Sequence, residues 1–152
     1  MALEYELELS TSLSPTQAME ALARQLNTLA WGEGRFVLRD TTITICAMKS
    51  LEITQRVIEH AFHFIPNLSV EFRFISNSDY DSFKQTLLQA TMLLLEHAQD
   101  AVLLFNGETL VLQRLGGQLT FNADYHLWED DDWLRSRVTL PFERRPLPSP
   151  LL

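Results

Sequence analysis

Two histidines three residues apart, in His60-Ala61-Phe62-His63, are the sharpest cluster of ligand-forming side chains in the chain. On a helix, positions i and i+3 share a face. His60 and His63 could then hold a metal ion together, or offer an axial ligand to a haem in an apolar pocket lined by Phe62 and Phe64 beneath a neighbouring helix. No Glu or Cys stands at ligand spacing beside them, and no CxxCH attachment sequence is present, so two ordinary histidines are the simpler account. His97 and His126 are isolated. A second constellation is Glu129-Asp130-Asp131-Asp132, flanked by Trp128 and Trp133. Carboxylates in a run can bind a hard cation, yet calcium loops alternate their ligands and place a glycine at the turn, and this run does neither. Aromatic anchors beside carboxylates are instead the composition of a surface that grips a basic protein partner. The competing reading is that one of the two tryptophans closes the core. For catalysis, no GxSxG, Cys/His constellation, P-loop or GxGxxG is found, so the expectation is a protein that is not an enzyme and needs no metal or cofactor.

Whatever these side chains do, a core must position them. The chain has 152 residues, enough for one domain that buries roughly 70% of the surface its unfolded form exposes. Its one cysteine, Cys46, rules out an intramolecular disulfide and sits in a β-branched stretch, where a buried structural thiol is expected rather than a nucleophile. Acidic residues number 20 against 12 lysines and arginines, a formal net charge of -8. Phosphate backbones would be repelled, which disfavours nucleic acid, whereas a cationic protein would be attracted. Solubility alone also accounts for such a charge. The first nine residues carry no basic n-region, and no window has the ~18 consecutive apolar residues of a membrane span, so a cytoplasmic protein, monomeric or homodimeric, is expected.

The stretch from Asp100 to Asn122 organises the rest. Asn106-Gly107 suits a two-residue turn with φ > 0 at both positions, which would set Leu103 against Leu110 and Ala101 against Leu112. Gly116-Gly117 supplies a second turn that places Leu112 opposite Phe121. Ala101, Leu103, Phe105, Leu110, Leu112, Leu119 and Phe121 then share one face. Leu3 to Leu9 alternates, with Leu3, Tyr5, Leu7 and Leu9 inward and Glu4, Glu6 and Glu8 wet. Ser14-Pro15-Thr16-Gln17 opens a helix to about Leu29 with a capping box, and Trp31-Gly-Glu-Gly34 ends it. Residues 35–38 and 42–47 read as short strands around Arg39-Asp40-Thr41. Residues 50–62 favour a helix, although their β-branched content leaves an extended reading open. Leu68 to Ile75 alternates again. SNSDYDS at 76–82 caps a long helix to about His97. The end, PFERRPLPSPLL, is expected loose or laid along the surface. The order predicts an α+β domain over residues 1–140, an antiparallel sheet with a C-terminal three-stranded meander and two to three helices on one face, followed by a proline-rich tail at 141–152.

In order along the chain, VEFRFI (70–75), DAVLLFNGE (100–108), GGQLTFN (116–122) and Trp128 resemble the pattern of a bacterial immunity family linked to contact-dependent swarming-inhibition toxins. The MALEYELEL start is similar in style, while residues 49–66 add nothing. The resemblance implies a cytosolic, non-catalytic protein-binding module that neutralises a cognate toxin from a neighbouring cell, and it carries no catalytic residue onto this sequence. The alternative from the residues is a small-molecule or haem carrier using His60 or His63.

Overall fold

The computed structural model describes residues 3–75 and 77–151. Met1, Ala2, Ser76 and Leu152, which belong to the N-terminal stretch, the SNSDYDS cap and the proline-rich tail, lie outside the described residues. Among those described, nine strands form one sheet: β1 (Glu4–Ser10), β2 (Ala30–Trp31), β3 (Leu38–Arg39), β4 (Ile43–Lys49), β5 (Leu68–Phe74), β6 (Asp100–Phe105), β7 (Thr109–Leu115), β8 (Gln118–Asn122) and β9 (Phe142–Arg145). Their spatial order is β2-β3-β4-β5-β1-β6-β7-β8-β9. All pairings are antiparallel except β8 with β9. The helices are α1 (Pro15–Gln25), α2 (Glu52–Phe62), α3 (Tyr80–Leu95) and α4 (Asp131–Arg137). The expected α+β class and its antiparallel meander stand.

Strand β1 becomes the central strand because both its edges find partners, β5 on one side and β6 on the other. Tyr5, Leu7 and Leu9 are fully buried on the face that α1, α3 and α4 cover, together with Leu22, Phe83, Leu87, Leu94 and Leu134. Each such side chain contributes about 1.5–3 kcal/mol by leaving water. Helix α1 starts as its sequence dictates: Ser14 Oγ accepts from Gln17 N at 3.1 Å, and Gln17 Oε1 accepts from Ser14 N at 2.9 Å. It ends at Gln25, short of the expected Leu29, although Leu29 still packs into the core. Beyond it, Ala30–Trp31 is a strand rather than a helix terminus, residues 33–35 form a 3-10 turn, and the strand expected at 35–38 is reduced to Leu38–Arg39.

The opposite face of the sheet is covered in part by α2, which packs Ile58 and Phe62, with Phe64 just after it, onto Val102, Leu104, Leu110 and Leu147. Leu110 was expected with the main core. A β-bulge moves it. Asn106 and Gly107 do have positive φ, 50° and 77°, but pairing resumes one residue later than a two-residue loop allows, with Phe105 opposite Thr109 and Leu104 opposite Leu110. Leu103 then pairs with Leu112, leaving Val111 as the extra residue, so Val111 and Leu112 reach the main core and Leu110 turns to the other side. The second turn holds, with Leu112 opposite Phe121 and positive φ at Gly116 and Gly117. The proline-rich end is not loose: Phe142–Arg145 pair in parallel with β8, and Leu147 is buried. An edge strand tolerates the flanking prolines because its outer N–H groups need no partner.

Candidate functional site

The segment from Trp128 to Trp133 is not the open aromatic and acidic patch that its composition suggests. Trp128 is fully buried, stacked edge-on against Phe121 at 5.1 Å, and its Nε1 donates to Val111 O at 2.9 Å. It closes the core and offers nothing to a partner. Asp130 is the N-cap of α4, accepting from Trp133 N at 3.0 Å, and Asp131 pairs with Arg135 at 2.6 Å across one helical turn. Trp133 is half-buried, with Lys84 Nζ 4.3 Å and the Arg137 guanidinium 4.7 Å from its ring centre. The indole face that would greet an incoming cation is therefore already occupied by the chain's own. Glu129, Asp130 and Asp132 remain exposed.

The histidines also part from expectation. His60 lies on α2, whereas His63 is its left-handed C-cap at φ 65°, one residue past the helix's end. Both are exposed and border an open groove with Arg56, Glu59 and Ile65. Phe62 packs into the small core against β6 and β7, and Phe64, largely buried in that core, also lines this groove. The space beneath α3 is filled by Phe83, Leu87, Leu88, Ala90, Leu94 and Leu95. Among the described residues, no three His, Cys, Asp or Glu side chains are placed to share a metal ion.

The feature that the sequence did not disclose lies on β1. Its outward residues Glu4, Glu6 and Glu8 were expected to be wet, yet Glu8 is only 2% exposed. The cause is tertiary: α2 and the Ser50 to Glu52 connection lean over the sheet, which nothing in an alternating strand announces. Ser69 on β5 donates its single hydroxyl proton to this carboxylate, whose two oxygens lie 2.6 and 2.5 Å away. Burial pushes the Glu8 carboxyl up to about 7, against a lowering by Ser69 and a further raising by Glu6. Glu6 is raised as well, first by burial, then by Glu71 and Glu4. Cys46, expected in the core, is half-buried on this same face beside Glu71.

Fold and surface together define an α+β domain whose main core is filled and whose unusual chemistry is concentrated on one partly uncovered sheet face. The chain belongs to the SitI3-like family, whose model matches residues 3–132. No curated protein and no solved structure matches it. Among the described residues, no helix is long and apolar enough to cross a membrane.

Proposed function

We propose that this chain is an immunity protein that neutralises a cognate toxin by binding it, without catalysis of its own. Membership of the SitI3-like family over residues 3–132 carries this reading, since SitI proteins are immunity proteins of contact-dependent inhibition. The physical character of the surface supports it. With a net charge of -8, the chain would steer a basic toxin toward itself and hold off other acidic proteins. The test is protection. Cells expressing the chain should survive delivery of its cognate contact-dependent toxin, and the two proteins should co-purify in equal amounts. Sensitivity equal to that of cells lacking the chain, at matched expression, would overturn the reading.

A further inference from the structure

On the face of the sheet opposite α1 and α3, a trough runs along the flank of α2. Strand β1 contributes Glu6 and Glu8 to it, β5 contributes Ser69 and Glu71, and β4 contributes Cys46 and Met48, with Leu51 and Thr54 forming the wall. It encloses about 290 Å³ and continues along α2, past Ile53 and Val57, into a recess of about 140 Å³.

Three observations bear on what fills it. Glu6 stands directly opposite Glu71 across the β1/β5 ladder, a like-charge pairing that destabilises a sheet unless something neutralises it. The ion pairs of this face stop at Arg73, which pairs with Glu4 and, at 3.7 Å, with Glu71; among the described residues no cation reaches Glu6 or Glu8. Second, Glu8 is buried with one hydroxyl proton for two oxygens, so most of its accepting capacity is unused. Third, the rim is apolar and open to solvent: Leu51 is 62%, Ile53 71% and Met48 50% exposed. Scattered exposed apolar residues are ordinary, but these border a single acidic hollow.

We propose that the trough receives an arginine side chain from a basic, apolar-flanked segment of a partner protein, its guanidinium seated among Glu6, Glu8 and Glu71 and its flanks resting on Leu51 and Ile53. The inference deepens the immunity reading and rests on it. Charge complementarity selects the occupant. A guanidinium presents five N–H donors in a rigid planar fork and sheds its water more readily than an ammonium, which suits it to a partly buried set of carboxylates, and among the described residues these carboxylates are not arranged to share a metal ion. A second copy of this chain brings another -8 and is disfavoured. The polar and titratable groups that line the trough with Glu8 are Glu6 on its own strand, Ser69 and Glu71 on β5, Cys46 on β4 and Thr54 on α2, none of them basic. The neighbour of Glu8 on β6 is the apolar Val102. Since burial pushes Glu8 up to about 7, arginine binding strengthens from pH 6 to pH 8 as Glu8 ionises.

The experiment titrates the full isotope-labelled chain with an acetylated, amidated peptide of alternating leucine and arginine, followed by NMR. A twin peptide carrying citrulline in place of arginine keeps the shape and removes the charge. Shifts at Glu8, Cys46, Ile53 and Val57 are expected, with affinity weakened about tenfold in Glu6→Gln, in Glu8→Gln and with the citrulline peptide. Equal binding of both peptides, shifts confined to residues 129–133, or dimerisation that Glu8→Gln abolishes would each overturn the proposal. Loss of cell protection with peptide binding intact would sink the immunity reading alone.

Discussion

Glu8 shows how far a residue's chemistry depends on what leans over it. In the unfolded chain its carboxyl has the ordinary value near 4.5, and in the fold burial raises it to about 7. Between those values the folded state binds more protons than the unfolded one, so stability falls as pH rises through this window and is flat above it. The loss amounts to about 3 kcal/mol at most. Glu8→Gln keeps the Ser69 contact and removes the charge. The variant should therefore melt higher than the parent at pH 8 and equally at pH 4, by thermal unfolding followed across pH. A lower melting temperature at pH 8 would contradict the account. Glu6 shifts in the same direction and adds to the slope.

At the scale of elements, the bulge in β7 explains why one of the two tryptophans that looked like partner anchors is spent inside. An extra residue in a strand leaves carbonyls without ladder partners. Here Leu110 O accepts from Asn122 Nδ2 at 2.7 Å and Val111 O accepts from Trp128 Nε1 at 2.9 Å, so two side chains replace the missing ladder bonds. Trp128→Phe keeps an aromatic ring but strands the Val111 carbonyl in a dry site, and should destabilise the fold by about 2–3 kcal/mol in urea unfolding. Amide exchange should accelerate at Val111 and Leu112 ahead of β1. Asn122 serves the other end as well: its Oδ1 accepts from Leu147 N at 3.1 Å, tying the proline-rich segment to the meander.

For the whole molecule, charge acts at a distance and packing acts by contact. In the acidic run at 129–132, Asp130 is spent as the cap of α4 and Asp131 on its ion pair with Arg135, while Lys84 and Arg137 both sit on the Trp133 ring. Replacing Asp130, Asp131 and Asp132 together with Asn should slow association with a basic protein only about two- to threefold at low salt, with the difference gone at roughly 0.5 M, by stopped-flow binding. A hundredfold loss would make that segment the specific contact after all. Alternation in β1 and β5, the capping box at Ser14 and the turn residues at 106–107 and 116–117 were all legible in the chain, because each is set by neighbours a few residues away. The ninth strand was not legible, since an edge pairing between residues 119–122 and 142–145 leaves no local signature in a stretch of prolines and arginines. Nor was the register of the first turn, which a single extra residue at Val111 decides through contacts made by Asn122 and Trp128. The amino-acid sequence by itself determined the α+β class, the alternating faces and the acidic surface, because periodicity and charge are properties of the chain. Only the tertiary structure decided which carboxylates face water and which tryptophan faces the core, because burial is settled by elements distant in sequence, here α2 over β1 and Trp128 under the bulge.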